Sequence, residues 1–161
     1  MPRNASKFQR ESSAIENRQG AVRLQRALLQ RFLVRVNREL GLKHDSSAIR
    51  FVTDAEMARL NRNFRKKAGT TDVLSFPAEV RTRPVELRRR VKSLRGAFLG
   101  DIAISPTVAR RNAKRYGRTL TEEMCILMLH GVLHLLGYDH DTDRGEMERV
   151  EAVLRRRLRL C

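Results

Sequence analysis

The segment Met124 to Leu136 is the longest hydrophobic stretch of the sequence, and it restricts the possible folds more than any other feature. Thr119 and Glu122 precede it in a capping-box pattern, which predicts the start of a helix. From Met124 onward this helix is apolar on nearly every side, so it must lie at the centre of the folded protein. The stretch is too short to span a bilayer and contains two histidines, so the sequence predicts no membrane segment.

The hydrophobic pattern predicts further helices and strands on both sides of the central helix. They are, in chain order, a short strand around Ser13 to Asn17, an amphipathic helix between Gly20 and Gly41, a strand around Ile49 to Thr53, a short helix with Met57, Leu60 and Phe64 on its buried face, strands at Val73 to Phe76 and Ala97 to Ile104, a helix from Pro106 to Tyr116, and a last helix capped by Asp141 to Asp143 with Met147, Val150, Leu154 and Leu158 inward. Because strands and helices mingle without regular alternation, we predict an α+β fold with helices packed on a small sheet. Residues 1–12 are polar and poorly patterned, which predicts a flexible N-terminal arm before a single domain at 13–161.

The chain is strongly basic, with 34 lysines and arginines against 18 acidic residues and a formal net charge of +16. Its hydrophobic content of 41 % is too high for a disordered polycation, so we expect a folded basic domain. Such an excess of positive charge favours a polyanionic partner, either nucleic acid or an anionic membrane surface. Part of the charge lies between Arg81 and Arg95, which we interpret as an exposed hairpin connection that serves as an RNA-contacting flap or as a solvated basic loop.

The cysteines and the N-terminal residues indicate the cellular compartment in which the protein is expected to fold. The two cysteines, Cys125 and Cys161, are too few for a disulfide framework, and Cys125 lies in the apolar stretch where a buried thiol is expected. The N-terminal residues lack the apolar segment of a secretory signal. Both features predict a reducing, cytoplasmic location.

Three of the four histidines lie close together in the sequence, at His130, His134 and His140. Histidines at i and i+4 project from one face of a helix about one turn apart, so His130 and His134 can reach the same ion. Gly137 permits the left-handed backbone that would end the helix and bring His140 round as a third ligand. Three imidazoles without a cysteine favour one zinc ion, although imidazole also suits nickel, copper and iron.

Three nearby histidines are compatible with two kinds of zinc site, a catalytic one and a structural one. A fourth position occupied by water is typical of a catalytic zinc, which lowers the pKa of that water and polarises a substrate oxygen. A structural zinc would need a remote fourth ligand, for which His44 and Cys161 are available. The histidine spacing matches the zinc signature of a large class of peptidases, but Gly131 stands where they carry the glutamate general base. Because glycine cannot hold a proton, peptidase chemistry is disfavoured.

These motifs resemble the YbeY family of endoribonucleases, which mature bacterial ribosomal RNA. The resemblance rests on the zinc signature from His130 to His140, the strand motif from Thr71 to Pro77, the following strand from Leu99 to Ile102 and the upstream segment from Asn61 to Arg65. It extends from about Gly20 to Leu158. The charged N-terminal arm and the basic segment between Arg81 and Arg95 depart from the family pattern.

The resemblance implies a compact α+β fold with a small mixed sheet beside the zinc-binding helix. It implies a single-strand-specific, zinc-dependent endoribonuclease that acts near the 3′ end of the 16S ribosomal RNA and takes part in ribosome quality control. The expected partners are therefore the 16S RNA precursor and the small ribosomal subunit or the ribosome. No feature of the sequence indicates an oligomeric state.

The resemblance also implies roles for individual residues. Arg65 falls where the family has an arginine important for RNA processing, and we expect it to clamp a phosphate and to neutralise charge in the transition state. Lys66 and Lys67 would extend the anion-binding track. The expected catalytic residues are Arg65, His130, His134 and His140, of which the three histidines are the metal ligands.

Several points of mechanism stay open at this stage. Asp101 or Asp139 could orient a ligand histidine, although Asp101 could equally pair with an arginine. Either water or the ribose 2′-OH could attack, and the sequence names no general base. The alternative function is a non-catalytic RNA-binding factor of ribosome assembly with a structural zinc, which would bind RNA without cutting it.

Overall fold

The computed structural model describes residues 14–78 and 96–160. The predicted arm at residues 1–12 and the predicted connection from Arg81 to Arg95 lie outside these residues. The secondary structure, in chain order, is β1 (Ile15–Asn17), α1 (Arg26–Glu39), β2 (Ser47–Phe51), α2 (Asp54–Leu60), a π-helical turn (Asn61–Arg65), β3 (Val73–Pro77), β4 (Gly100–Ile104), α3 (Pro106–Arg115), α4 (Leu120–Leu135) and α5 (Glu146–Arg157). The strands and helices predicted within the described ranges are therefore present, with shifted ends.

The strands form one mixed sheet in the order β1-β2-β4-β3. β1 and β4 run parallel to β2, whereas β3 runs antiparallel to β4. Ile49 in the middle of β2 pairs with Ile15 on one side and with Ile102 on the other, so a row of apolar side chains crosses the sheet. All three are buried in the main hydrophobic core together with residues of the helices. The predicted α+β fold is thus confirmed.

Helix α4 lies in the middle of the core, as its apolar sequence predicts. It packs on β3 and β4 and contacts α1, α3 and α5. The side chains of Met124, Met128, Leu129 and Leu133 are completely buried, and each contributes roughly 1.5–3 kcal/mol to stability. Burial also raises the pKa of the Cys125 thiol to about 12, so this group stays protonated. None of the helices in the described ranges is long and apolar enough to cross a membrane.

Side chains cap the helices where the sequence predicts. The Thr119 hydroxyl accepts the Glu122 backbone N–H at 3.2 Å, and the Glu122 carboxylate accepts the Thr119 backbone N–H at 2.7 Å, which completes the capping box of α4. Ser105 is the N-cap residue of α3, and its hydroxyl accepts the Val108 backbone N–H. In α5 the N-cap residue is Gly145, and the predicted Asp143, two residues before it, contributes by accepting the Met147 backbone N–H at 2.8 Å. These contacts satisfy backbone donors that have no partner within their own helix.

Helix α1 begins several residues later than its apolar spacing predicts. The side chain of Gln19 accepts the Val22 backbone N–H at 2.9 Å and donates to the Val22 carbonyl oxygen at 3.0 Å. This pair of hydrogen bonds holds Gln19 to Val22 as a turn, so Val22 is buried without being helical. The other end agrees with the prediction, because Gly41 adopts a φ of +68° and closes the helix.

Gly100, at the start of β4, provides a test of the packing of the sheet. Its φ is +143°, and a Cβ atom at this position would overlap the carbonyl oxygen of Phe76 on β3. Replacing Gly100 by alanine should therefore lower the free energy of unfolding by about 2–4 kcal/mol, because the backbone and the neighbouring strand must both shift. Urea denaturation measures this loss. Gly20→Ala is the matched control, since its Cβ would meet no atom within 4 Å; equal stability of the two variants would contradict this packing.

Candidate metal centre

The C-terminal end of α4 carries two of the three clustered histidines. His130 and His134 lie one turn apart, with ring centroids separated by 4.7 Å. The helix ends before Gly137, whose φ of +94° is left-handed as predicted. The Gly137 N–H donates to the His134 carbonyl oxygen, and the Tyr138 N–H donates to that of Leu133. This motif reverses the chain directly after the second histidine.

The reversal brings His140 to the other two histidines. Its ring centroid lies 5.5 Å from that of His130 and 5.4 Å from that of His134. One nitrogen from each ring lies within 4.8 Å of the others, a spacing from which small rotations of the rings bring all three nitrogens to bonding distance, about 2 Å, from one metal ion. No other group of three such side chains within residues 14–78 and 96–160 could hold a metal ion.

The charge state of His134 suits metal binding. Burial and, to a lesser extent, repulsion from His130 and His140 lower the pKa of His134 to about 4. Its ring is therefore neutral at physiological pH, as a ligand must be. The Nε2 atoms of His130 and His134 lie 3.1 Å apart, so two lone pairs would face each other unless a proton or a cation lay between them. The three imidazoles thus fit a metal ion.

Glu151 on α5 orients His130, and sequence reasoning missed this residue. Its carboxylate lies 2.8 Å from Nδ1 of His130 and accepts a hydrogen bond from the N–H there, which leaves Nε2 free to coordinate. One feature of the sequence points to Glu151: it lies four residues after Met147 and three before Leu154, which places it on the inward face of α5. A carboxylate on that face needs a polar partner, but the sequence does not say which one.

The two carboxylates considered from the sequence have other contacts. Asp101 on β4 lies 3.7 Å from the Arg50 guanidinium, so the arginine pair is the alternative that occurs. Burial raises the pKa of Asp101, although Arg50 partly opposes this shift. Asp139 accepts the Asp141 backbone N–H at 3.0 Å and thereby supports the turn that contains His140.

Gly131 allows α4 to pack closely on the sheet, and this packing also excludes a larger side chain at position 131. A Cβ atom here would lie 2.8 Å from Cγ2 of Ile102 on β4, because the helix and the sheet approach closely at this point. The Gly131 carbonyl oxygen also accepts a hydrogen bond from the Ser75 hydroxyl at 3.0 Å. A glutamate at position 131 would be forced against the sheet, so the packing argues against a peptidase general base there, as the sequence does.

An open cleft of about 980 Å³ adjoins the three histidines and is lined by β3 on another side. Arg65 is exposed and lines this cleft as well. Lys66 and Lys67 are exposed beside Arg65 in sequence but do not line the cleft. The structure therefore brings Arg65 and the histidines to one cleft and leaves the two lysines outside it.

The π-helical turn changes the orientation of Phe64. Helical spacing predicts that Phe64 lies on the buried face with Met57 and Leu60, and this prediction is wrong, because 63 % of Phe64 is exposed. A π-helical turn contains more residues than an α-helical turn, so it rotates Phe64 away from that face. Phe64 lines the cleft instead.

Hydrogen bonds around a buried asparagine hold this turn in place. The amide of Asn61, which is almost completely buried, donates to the Gly69 carbonyl oxygen at 3.0 Å. Lys66 ends the turn with a left-handed φ of +56°, and the Lys67 N–H donates back to the Asn61 carbonyl oxygen. The loop after α2 is therefore closed on itself, which fixes the backbone of Arg65 at the cleft.

The cleft combines a site for a metal ion with an exposed arginine that can bind an anion. Three protein ligands leave a coordination position for a substrate or water. An α+β domain with this arrangement has the features of a metal-binding protein whose ion would be accessible to a substrate.

Comparison with known proteins identifies the family. Residues 12–159 match the family model described as endoribonuclease YbeY. The chain therefore belongs to the YbeY family, as its motifs predict, and is a hydrolytic endoribonuclease.

Individual relatives agree with this assignment. A protein of Solibacter usitatus named endoribonuclease YbeY is 42 % identical over 152 residues, which cover 93 % of this chain and 90 % of the relative. A protein of Koribacter versatilis with the same name is 42 % identical over 132 residues, with coverages of 82 % and 76 %. A solution structure of a Thermotoga maritima protein superposes with a TM-score of 0.56 at 25 % identity, covering 89 % of this chain and 87 % of the other.

Replacing Glu151 by glutamine tests its role at the metal centre. The variant should bind a divalent metal ion about 10- to 100-fold more weakly, because the His130 ring loses its charged acceptor. Competition with a chelating dye measures this affinity. Glu148→Gln, an exposed position on the same helix, is the control and should bind like the wild type. An unchanged affinity of the Glu151 variant would show that Glu151 does not orient the ligand.

Proposed function

We propose that this protein is a zinc-dependent endoribonuclease that cleaves single-stranded RNA during the maturation of ribosomal RNA. The observation that carries this proposal is that Arg65 and the three clustered histidines line the same cleft. The name shared by the relatives supplies RNA as the class of substrate.

The proposed substrate is the precursor of the 16S RNA, cleaved near its 3′ end in the cytoplasm. The small ribosomal subunit or the ribosome would be the partner, and quality control of ribosomes would be a second task of the same activity. The formal net charge of +16 supports a large polyanionic partner. The motif resemblance to the YbeY family supports its identification as ribosomal RNA.

Zinc is the ion that the donor set favours, because three neutral nitrogen ligands leave one position of a tetrahedral ion open. When bound, it would polarise a phosphoryl oxygen and lower the pKa of a nearby water. His130, His134 and His140 would hold one ion. Glu151 would keep His130 in the tautomer that presents Nε2.

Arg65 would bind the scissile phosphate. Its guanidinium can donate two parallel hydrogen bonds to phosphate oxygens, and its charge would offset the negative charge that grows in the transition state. The closed loop after α2 supports this role, because it holds the backbone of Arg65 at the cleft. Lys66 and Lys67, outside the cleft, would contact the phosphates of neighbouring nucleotides.

Loss of a ligand tests the metal dependence. His134→Ala should reduce zinc affinity by more than about 100-fold, since even an outer partner of a ligand contributes about 10- to 100-fold, and it should abolish RNA cleavage. The measurements are zinc content, thermal unfolding, and cleavage of a single-stranded RNA that carries the 16S 3′ precursor.

The control for this variant is His44→Ala, which changes an exposed histidine outside the cluster. All proteins are purified in parallel, because a basic protein readily carries contaminating nucleases. Cleavage by His134→Ala at the wild-type rate would disprove the metal dependence. A wild type that binds RNA without cutting it, together with an unfolded His134 variant, would indicate a structural zinc.

Truncation of Arg65 tests the phosphate-binding role. Arg65→Ala should lower kcat by about 10²- to 10³-fold, because a donor to the developing charge is lost. Arg65→Lys should recover part of the rate, since lysine keeps the charge but not the planar pair of donors. Arg62→Ala, exposed in the same turn but outside the cleft lining, is the control. The role is wrong if Arg65→Ala cleaves as fast as the wild type.

A further inference from the structure

Phe64 and Phe76 form an aromatic pair beside the candidate metal centre. Their ring centroids are 4.8 Å apart, and their planes meet at 67°, which is an edge-to-face contact. Both rings line the same cleft as Arg65 and the histidines. Neither ring has a role in the proposed metal and phosphate chemistry.

The two rings are supported in different ways. Phe76 on β3 packs against a small buried cluster, which fixes its position. The cluster consists of Val52, Met57, Leu74 and Ala103. Phe64 does not belong to this cluster and is 63 % exposed, so its contact with Phe76 orients it. The pair therefore presents a fixed apolar ring at the cleft.

The backbone keeps Phe64 exposed although the local sequence would allow its burial. An α-helical continuation of α2 would place Phe64 on the face of Met57, whereas the π-helical turn holds it outward. The hydrogen bond from the buried Asn61 amide to the Gly69 carbonyl oxygen maintains this turn. Turns of this kind are frequent at functional sites, and exposure of an apolar ring is unfavourable unless a ligand covers it.

We propose that Phe64, supported by Phe76, stacks on one unpaired base of the RNA whose phosphate lies at Arg65. This inference rests on the proposed endoribonuclease function and extends it to the selection of single strands. Every base has a face that can stack on an aromatic ring, but a base inside a duplex is covered by its neighbours on both sides. Phenylalanine has no hydrogen-bonding group, so the contact selects unpaired nucleotides without reading their identity.

The charges around Phe64 favour a nucleic acid over a protein as the occupant. Phe64 is followed directly by Arg65, Lys66 and Lys67, all of which are exposed. Aromatic rings beside cationic side chains are typical of surfaces that bind single strands, because the rings take bases and the cations take phosphates. The centres of protein interfaces are instead depleted of lysine.

The test compares Phe64→Ala and Phe64→Trp with the wild type, each loaded with zinc, on a single-stranded RNA of the 16S 3′ precursor. A set of otherwise identical RNAs carries one abasic nucleotide at successive positions, and another carries 2-aminopurine, whose fluorescence is quenched by stacking. Phe98→Ala is the matched control, because Phe98 is 46 % exposed and does not line the cleft.

Phe64→Ala should raise KM about 5- to 150-fold, the effect of losing one stacked base, with a smaller change in kcat. Phe64→Trp should retain the wild-type KM. At one position, the abasic nucleotide should raise KM by a similar factor for the wild type and should have no further effect on Phe64→Ala. The wild type should quench 2-aminopurine at that position, and Phe64→Ala should not.

The inference is overturned if Phe64→Ala and the wild type respond equally to every abasic RNA and quench alike. It is also overturned if the alanine and tryptophan variants lose activity to the same extent on all substrates, since the ring would then be structural. A wild type that does not cleave single-stranded RNA would refute the proposed function. In that case the 2-aminopurine quenching still decides whether Phe64 stacks on a base.

Discussion

The burial of α4 from nearly every side is the constraint on which the rest of the structure depends. The sheet and helices α1, α3 and α5 surround it, so its backbone cannot shift without opening cavities in the core. His130 and His134 lie on its last turns, where the helix reaches the cleft. The positions of these two histidines are therefore fixed by hydrophobic packing, and a functional group placed on such a rigid element keeps its position closely.

Features with local causes could be predicted from the sequence. The capping box at Thr119, the one-turn spacing of His130 and His134, and the left-handed turn at Gly137 each depend on a few neighbouring residues, and each is present. The apolar pattern of α4 likewise predicts a central position because no side of the helix could face water. The mixed sheet could not be predicted from local patterns, since the order of its strands is set by packing between distant segments. The expectation of a mixed sheet came from the family resemblance.

Features that depend on contacts between separate segments could not be predicted. Phe64 fits an α-helical period, but the hydrogen bond between Asn61 and Gly69 closes a wider turn and exposes the ring. Glu151 reaches His130 only because α5 folds back on α4, a pairing that no spacing rule predicts. Both exceptions lie at the candidate site. Local rules are expected to fail at such positions, because ligand binding competes there with stability.

The hydrogen bond between Glu151 and His130 also makes the candidate metal centre depend on helix α5. A partial chain that stopped between His140 and Glu151 would contain Arg65 and all three clustered histidines, yet His130 would lack its acceptor. It would also lack Leu154 and Leu158, which are part of the core. A fully oriented site therefore arises only once the last helix has been made and folded. A nascent chain in which this helix has not yet folded is therefore expected to hold His130 without a fixed tautomer.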